Sequence, residues 1–524
     1  MRAADVGQLL GGILEADEIG LDPEHCRLHS GDVYSQGETA IAVVSPRSVE
    51  RVAAAVGVLT RAGVAVAPRG GGVSYTGGYA PSRPGTAIID LSRLDRIVEI
   101  SAEDMFVTVE AGVTWKRLHE ALRPLGLRTP FFGTFSGARA TVGGGLSNGA
   151  LFLGSARYGT AADALLGLEV VLADGSLLHT GQRAFAAAAR PFYRTCGPDL
   201  SGLFTHDAGT LGIKVRATLR LIRAPTHEGY ASFVFEDMTA AARALSETAR
   251  TGAAEEAYVF DPETTRRNLR SDGVVDDARK LLKVMAHESG LLRGLRAGAR
   301  LVSAGRDFLP PEACSLHVVV AGRSAAAVEA DLEACRRACT GEGGREIVDS
   351  IPRAVRGNLF PAPDGVLGAD GDRWAALNAK VAHSQAAALM AESAALLAPY
   401  AERMRRHRVW MSHLLIAIDT HAFSFEPVFH WYDEWLPLHT HLPSPATLAK
   451  FERPAPNPEA TALVHEMRSR LVELFARHGA ASNQLGKTYP YLSALRPEPA
   501  ALLRAIKASV DPAGLVNPAG LGFP

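Results

Sequence analysis

Two glycine clusters are the residues of this chain best suited to binding a ligand. The first, residues 68–78 (PRGGGVSYTGG), follows an apolar stretch at residues 64–67 that predicts a buried strand. Successive glycines let several backbone N–H groups point into one concavity with no Cβ in the way, which suits a phosphate or pyrophosphate. The second, residues 141–149 (TVGGGLSNG), repeats the pattern. Together they predict a long, bent dinucleotide that is held at two places.

A serine-hydrolase site is the alternative from another class of chemistry. Residues 145–149 (GLSNG) match the G-x-S-x-G pattern, with Ser147 as the nucleophile. That pattern requires a strand just before it, whereas Thr141 and a glycine run precede Ser147 here. The context therefore argues against hydrolysis. No zinc site is predicted either, because His287-Glu288 lacks the second histidine that a zinc-protease helix requires.

The composition is that of an ordinary globular protein with more than one domain. A chain of 524 residues is too long for one hydrophobic core, and 47% of its residues are hydrophobic while 21% are charged. The net charge of -1 gives no reason to expect a nucleic acid as partner. Five cysteines without zinc-knuckle spacing indicate reduced thiols. With no signal-peptide pattern and no stretch of about 18 apolar residues, we expect a cytoplasmic protein.

Alternating strand and helix patterns must position both glycine clusters. A strand at 41–45, a helix capped by Ser48 and a strand ending at Pro68 predict a β-α-β unit. A further strand is predicted at 87–91, and residues 96–100 and 106–110 alternate as a hairpin. A second unit begins with a helix at about 114–122 and continues with strands at 165–173, 176–180 and 215–222. Each glycine cluster would then connect elements of its own α/β unit.

In sequence, residues 39–223 resemble the FAD-binding domain of the vanillyl-alcohol oxidase/PCMH family of FAD-linked oxidases. The resemblance rests on PRGGGVSYTGG, GARATVGGGLSNGA, an ADG turn and AGTLGIKVRATLRL, and the closing DPAGLVNP is similar to the family's last segment. It implies an α+β fold, in which a PCMH-type FAD-binding domain of two α/β subdomains is joined to a cap domain with an antiparallel sheet flanked by helices. The nearest branch is that of the D-lactate dehydrogenases and glycolate oxidases.

The implied domains follow the chain in four parts. Residues 1–38 would pack on the FAD-binding domain at 39–225. The substrate-binding cap would occupy 226–455, where strand and helix patterns repeat. Residues 456–524 would return to the FAD-binding domain.

The resemblance also implies a set of FAD-binding residues. The first cluster would bind the pyrophosphate by backbone N–H groups, the second would line the pyrophosphate and isoalloxazine, and Gly212 and Ile213 would lie by the adenine. The set is Pro68, Arg69, Gly70, Gly71, Gly72, Val73, Ser74, Gly77, Thr134, Thr141, Gly143, Gly144, Asn148, Gly212, Ile213 and Asn517. Val73 stands where some relatives carry a flavin-linked histidine, and residues 133–159 contain no cysteine. Non-covalent FAD is therefore expected.

Flavin oxidation of an alcohol needs a base for the hydroxyl proton while a hydride goes to flavin N5. Histidine fits this role because its reference pKa of about 6.5 is close to working pH. His430 and His413 are the candidate bases. Glu426 would orient a histidine or bind a cation, and Lys487 or an arginine would hold a substrate carboxylate.

The branch implies an FAD-dependent oxidoreductase acting on the CH–OH group of a D-2-hydroxy acid such as D-lactate or glycolate. The metal-binding GDGN-H segment of many branch members is absent, so no metal is expected. Aromatic residues favour para-substituted phenols or aromatic alcohols as the alternative substrates, namely Phe423, Phe425, Phe429, Trp431 and Tyr432.

The reduced flavin would pass its electrons to oxygen, a quinone or a cytochrome. An arginine-rich segment at 264–308 is predicted to be helical, and interspersed acidic residues favour a solvated face. The alternative is a lid, or a contact with an electron acceptor or an acidic membrane. Peripheral contact with the inner face of a membrane and a homodimer both stay open.

Overall fold

A computed structural model describes residues 2–269 and 312–524 of the chain. Most of the arginine-rich segment predicted at 264–308 lies outside these residues, and only the helix Pro262–Leu269 at its start is described. Within the two described ranges, no helix is long and apolar enough to cross a membrane.

The first subdomain is built on the predicted β-α-β unit. Its four-stranded sheet has the order β1-β2-β4-β3, and β2 and β3 run parallel to β4. The backbone N–H of Arg51 donates to Ser48 Oγ at the start of the connecting helix. The elements are β1 (Ile19–Gly20), β2 (Ala42–Val44), β3 (Ala65–Arg69), β4 (Thr86–Asp90), α1 (Ala3–Leu10), α2 (Pro23–His29) and α3 (Val49–Arg61).

The second subdomain is an antiparallel sheet of order β5-β6-β10-β8-β9 with short helices against it. Its strands are β5 (Ile97–Ser101), β6 (Phe106–Glu110), β7 (Leu127–Arg128), β8 (Leu165–Val171), β9 (Leu177–His179), β10 (Ile213–Arg220) and β11 (Ile222–Arg223). Its helices are α4 (Trp115–Leu122), α5 (Val142–Ser147), α6 (Ser155–Tyr158) and α7 (Leu200–Leu203). The two subdomains together form the N-terminal domain.

The cap domain contains one antiparallel sheet of order β15-β12-β14-β13-β18-β19-β16, with β17 paired to β19. Its strands are β12 (His227–Phe235), β13 (Glu256–Phe260), β14 (Cys314–Gly322), β15 (Arg345–Ile347), β16 (Arg373–Ala376), β17 (Ala379–Val381), β18 (Val409–Ile418) and β19 (Ala422–Trp431). The remaining described helices are α8 (Met238–Arg250), α9 (Pro262–Leu269), α10 (Ala325–Gly341), α11 (Ser350–Gly357), α12 (Ala386–Leu397), α13 (Ala401–His407), α14 (Pro437–His441), α15 (Pro445–Leu448), α16 (Pro458–Arg477), α17 (Tyr491–Ala494) and α18 (Pro497–Val510).

The two faces of the cap sheet have different partners, because successive side chains of a strand point to opposite sides. On β18, Leu415 and Ala417 pack among the cap helices. Ile416 and Ile418 of the same strand pack instead against residues of the N-terminal domain, including Phe152. This alternation decides which side chains of β18 and β19 face the N-terminal domain.

The C-terminal region divides between the domains. Helix α16 contributes Leu463, Met467 and Leu471 to the cap core. Further along the chain, Val516 returns to the first subdomain and forms a bridge with Val66 of β3. The cap core therefore includes α16, which lies beyond the boundary predicted at residue 455.

A buried charge cluster joins the domains. Arg128 of the N-terminal domain donates to Glu255 of the cap at 2.6 and 2.8 Å, and Arg356 donates to the same carboxylate at 2.6 Å. Both guanidiniums also lie over the ring of Phe132, at 4.5 and 5.0 Å. Burial raises the pKa of Glu255, but the two guanidiniums outweigh it and hold that pKa below its ordinary value.

Glu255→Gln is expected to lower the free energy of unfolding by about 3–5 kcal/mol, because it removes the carboxylate that pairs with the buried Arg128 and one of the three that pair with Arg356. Urea denaturation at neutral pH measures the change. The matched control is Glu466→Gln, which breaks an exposed pair with Arg403 and should cost less than about 1 kcal/mol. Equal effects of the two substitutions would contradict this role of Glu255.

Candidate functional site

A cavity of about 370 Å³ lies between the N-terminal domain and the cap sheet. The first glycine cluster and helix α5 form one side of it. Leu414, Ile416 and Glu426 of β18 and β19 form the other, together with Trp374 of β16. The cavity is where the predicted nucleotide-binding and substrate-binding regions meet.

The first glycine cluster offers a row of unused hydrogen-bond donors to this cavity. Residues 70–74 all line it, and no backbone N–H of these five residues donates a hydrogen bond within the described part of the chain. Backbone N–H groups are normally paired when they are shielded from water, so this row indicates an absent acceptor. A pyrophosphate supplies acceptor oxygens of the required kind.

The glycines of the first cluster also allow close contact with the second. A Cβ at Gly70 would lie 2.5 Å from Thr141 Oγ1, and one at Gly71 would lie 2.1 Å from the carbonyl oxygen of Arg139. At Gly144, which lines the cavity, a Cβ would meet only Thr141 Oγ1, at 3.1 Å. Gly70 and Gly71 thus permit packing between the clusters, while Gly144 keeps space free in the cavity.

The second cluster is a helix rather than a second loop of free donors. Helix α5 spans residues that include three consecutive glycines, and Thr141 caps it by accepting from the N–H of Gly144 at 3.1 Å. The N–H of Gly143 donates to Ala111 O, and that of Gly145 donates to Thr141 O. The second cluster therefore supplies a close wall, and the backbone donors for an anion come from the first cluster.

Two arginines place positive charge beside the free N–H groups. Arg69 is buried, lines the cavity and lies 5.5 Å from the ring centroid of Tyr79. Arg139 Nε donates to the carbonyl oxygen of Gly71 at 2.8 Å. Burial, reinforced by Arg69, lowers the pKa of Arg139. Two adjacent guanidiniums favour an anionic ligand, which agrees with a nucleotide bound along this loop.

Twelve of the sixteen predicted cofactor residues line the cavity, and four do not: Gly77, Gly212, Ile213 and Asn517. Ile213 is fully buried in the core of the first subdomain, and a Cβ at Gly212 would meet Val170. The N–H of Gly77 donates to Asp32, and Asn517 Nδ2 donates to the carbonyl oxygens of Gly78 and Ala208. Gly77 and Asn517 therefore hold the loops around the cavity by hydrogen bonds, and neither residue lines the cavity itself.

Glu426 is the carboxylate that faces the cavity from the cap. It lies on β19 directly opposite Leu414 of β18, on the sheet face turned to the N-terminal domain. No hydrogen bond from a described residue reaches its carboxylate. Burial raises the pKa of Glu426 to about 7, and the nearby charge of Lys380 opposes part of that rise. A carboxylate with this pKa can accept a proton at neutral pH.

His430 lies on the same face of β19 as Glu426 but outside the cavity. The two residues are four positions apart, which is about 13 Å along a strand. His430 Nε2 lies 2.8 Å from Ser412 Oγ, and Nδ1 lies 3.0 Å from Asp372 Oδ2. Both ring nitrogens are thus engaged, and the structure does not bring this candidate base to the cavity.

His413 and Lys487 are likewise not brought to the cavity. His413 lies on the helix-facing side of β18, where Nδ1 is 3.0 Å from Asp261 and the ring stacks on Phe425. Lys487 Nζ donates to the carbonyl oxygen of Ala80, so it holds the loop after the first glycine cluster. Burial lowers the pKa of Lys487 to about 8.

Most of the aromatic residues that favoured a phenolic substrate are also directed away from the cavity. Four of them pack in the cap core: Phe423, Phe425, Phe429 and Trp431. Other aromatic residues line the cavity, namely Tyr75, Tyr79, Phe135, Phe152 and Trp374. Ser147 lines the cavity too, but no hydrogen bond joins it to any described histidine, so the hydrolase alternative lacks its base.

Sequence reasoning missed two polar residues beside Glu426. Gln484 lines the cavity, and its Oε1 is buried without a partner in the described ranges. Lys380 pairs with Ser424 across β17 and β19, and its Nζ donates to the side-chain oxygens of Asn378 and Asn483. Gln484 belongs to the same polar cluster near the C-terminus as Lys487, so the sequence pattern did point to its neighbourhood. No motif in the sequence marks Lys380 as a site residue.

No group of three histidine, cysteine or acidic side chains within 2–269 and 312–524 is arranged to hold a metal ion. Residues 70–74 and two arginines face the cavity region from the N-terminal domain, and the carboxylate of Glu426 faces it from the cap.

Comparisons with known proteins match both of the domains that line the cavity. The sequence model of the FAD binding domain matches residues 40–181, and that of the C-terminal domain of FAD linked oxidases matches residues 224–521. The probable mitochondrial D-lactate dehydrogenase of Danio rerio is 39% identical over 183 residues, which are 35% of this chain and 35% of that protein. The glycolate oxidase subunit GlcD of Bacillus subtilis is 30% identical over 206 residues, 39% of this chain and 42% of the relative.

A solved structure shares nearly the whole fold. p-Cresol methylhydroxylase with substrate bound superposes with a TM-score of 0.74 at 17% identity, covering 99% of this chain and 96% of that one. The aligned segments of the two curated relatives span less than half of their lengths. The structural likeness shows that the two proteins share a fold.

Proposed function

The chain belongs to the FAD-linked oxidases, and we propose that it is an FAD-dependent oxidoreductase that oxidises the CH–OH group of a D-2-hydroxy acid. The observation that carries this proposal is the position of Glu426, which faces the same cavity as the free N–H groups of residues 70–74. The similarity to a probable D-lactate dehydrogenase and to a glycolate oxidase subunit supports this substrate class.

The residues of the cavity fit FAD on the evidence of this structure. Residues 70–74 would hold the pyrophosphate by their N–H groups, Arg69 and Arg139 would balance its charge, and Gly144 would leave room beside it. When bound, FAD supplies an acceptor for the hydride that leaves the substrate carbon. We take the cofactor to be held without a covalent bond.

Glu426 has the properties of the base for the substrate hydroxyl. Its carboxylate has no described hydrogen-bond partner, so it is available to a hydroxyl donor in the cavity. With a pKa of about 7, a substantial fraction is ionised at neutral pH and can accept the proton. Because only the ionised form accepts a proton, the reaction should slow as the pH falls below about 7.

Lys380 adjusts the ionisation of Glu426. Its ammonium group is held by Asn378 and Asn483, and its positive charge favours the ionised form of the nearby carboxyl. Burial lowers the pKa of Lys380 to about 7, and Glu426 in turn raises it. The two groups therefore titrate as a coupled pair in the neutral range.

Lys380→Met is expected to move the acid limb of the rate profile to higher pH by about one unit, because loss of the positive charge raises the pKa of Glu426. We would measure the rate of anaerobic flavin reduction from pH 5 to 9 and compare the midpoints of the acid limbs of the two proteins. Lys116→Met, an exposed substitution on α4, is the control and should leave the profile in place. An unshifted profile in Lys380→Met would exclude electrostatic coupling to Glu426.

Aromatic alcohols are the second candidate substrates, and the observation that favours them is the lining of the cavity by Phe135, Phe152 and Trp374. Such a substrate would present its hydroxyl to Glu426 in the same way and would need no cation for a carboxylate. In either case the substrate reduces the flavin first, and the electron acceptor (oxygen, a quinone or a cytochrome) would then reoxidise it.

Anaerobic titration of the FAD-loaded protein tests the proposed function. D-Lactate, D-3-phenyllactate and 4-hydroxybenzyl alcohol are each added without oxygen, and the visible flavin absorbance is followed. The proposal expects a D-2-hydroxy acid to bleach the flavin, and the L-enantiomer serves as the control. Bleaching by the alcohol alone would support the second candidate, and bleaching by none of them would contradict both.

A further inference from the structure

Apolar side chains from two elements of the cap form a wall of the cavity beside Glu426. Leu414 and Ile416 line it from β18, and Val366 lines it from the loop before β16. Leu414 is the cross-strand partner of Glu426, so an apolar side chain lies directly beside the carboxylate. A substrate whose hydroxyl reaches Glu426 must therefore place its neighbouring atoms against hydrocarbon.

The N-terminal domain contributes aromatic rings to the same cavity. Phe135 and Phe152 both line it, with their ring centroids 4.1 Å apart. Phe152 has a φ of 145°, a backbone conformation that residues with a side chain rarely adopt. Such strain persists where the surrounding structure requires it, often at ligand sites. Its ring is also packed on Tyr258 of the cap, at 5.2 Å.

The polar groups of this region are few and lie together. Glu426 and Gln484 line the cavity, and Ser424 Oγ, two positions from Glu426 on the same face, is buried without a described partner. Polar groups on one side and hydrocarbon on the other suit a ligand with a polar end and an apolar end. Glycolate has no side chain, and lactate has only a methyl group, so both offer this wall far less apolar surface than a phenyl or isobutyl substituent does.

We infer that the substrate carries a bulky apolar group, aromatic or branched aliphatic, which packs against Leu414, Ile416 and Phe152 while its hydroxyl meets Glu426. This inference rests on the proposed oxidation of a 2-hydroxy acid and narrows its substrate class. Binding gains from the removal of the apolar wall and the apolar substituent from water, and the gain grows with the area that is buried.

Reduction rates of the FAD-loaded protein with substrates of graded size test the inference. The value of kcat/KM is expected to be at least about tenfold higher for D-3-phenyllactate and D-2-hydroxyisocaproate than for D-lactate. Equal or higher values for D-lactate or glycolate would overturn the inference and leave the proposed function intact. Reduction by none of the hydroxy acids would contradict the proposed function, and with it this inference.

A binding measurement separates the apolar contact from catalysis. Calorimetry with 3-phenylpropionate and propionate, which lack the hydroxyl, should show tighter binding and a more negative heat-capacity change for the phenyl compound. Equal affinities would count against the inference.

Two substitutions of Leu414 locate the contact. Leu414→Trp fills the space, and Leu414→Ala removes the contact, so each should lower the ratio of phenyllactate to lactate kcat/KM by about tenfold. Leu502→Trp, at an exposed position of α18, is the control and should leave the ratio unchanged. A ratio that is unchanged in both Leu414 variants would overturn the assignment of this wall.

Discussion

Glu426→Gln is expected to slow flavin reduction by about 10²–10⁴-fold while FAD stays bound. The amide has nearly the same shape as the carboxyl group but cannot accept the hydroxyl proton at neutral pH. The wild-type rate should rise with pH through about 7 as the Glu426 carboxylate forms, and this rise should be absent from the variant. Anaerobic stopped-flow mixing, with the visible flavin absorbance as the signal, measures both effects.

His430→Gln is the informative comparison for that prediction. His430 is one of the two candidate bases predicted from the sequence, but its two ring nitrogens are engaged by Ser412 and Asp372 outside the cavity. We therefore expect His430→Gln to lower the rate of flavin reduction by less than about tenfold, because the side chain lies outside the cavity and does not contact the substrate there. A larger loss in His430→Gln than in Glu426→Gln would reverse the assignment of the base.

Gly144→Val is expected to abolish tight binding of FAD while the protein stays folded. A Cβ at this position meets only Thr141 Oγ1, and the two further methyl groups of valine would occupy the cavity. The backbone needs no left-handed conformation here, so the cost falls on the ligand more than on the fold. Flavin content after gel filtration, with circular dichroism to verify folding, measures the result.

Gly12→Val provides the matched control, because a Cβ at Gly12 would meet nothing within 4 Å and the residue lies outside the cavity. It should retain a full complement of FAD. If Gly144→Val also retained flavin at wild-type affinity, the cavity beside α5 would not be the flavin site.

The cofactor half of the site was largely predictable from the sequence. Consecutive glycines after a buried strand are a local signal, and residues 70–74 do present free N–H groups at the end of β3. The second cluster resembled the first, yet it forms a helix capped by Thr141, because its N–H groups find partners in Ala111 and Thr141. Whether a glycine run stays a loop depends on such long-range partners.

The substrate half was harder to predict because it depends on the faces of two strands. The run from Leu414 to Ile418 is entirely apolar, so no alternation reveals which side of β18 is turned to the cavity. From residue type alone, His413 is a candidate base, while Glu426 is expected to orient a histidine or bind a cation. The register of β18 against β19, together with the helices that cover one face, places Glu426 in the cavity and His413 on the other side.

Reconstitution with FAD is the most direct test of the central claim, that the cavity between the two domains holds a flavin nucleotide. The purified chain is incubated with excess FAD, passed through a gel-filtration column, and its visible spectrum is recorded. We expect a yellow protein with one FAD per chain, released intact on denaturation. A colourless protein that takes up no flavin under these conditions would contradict the account.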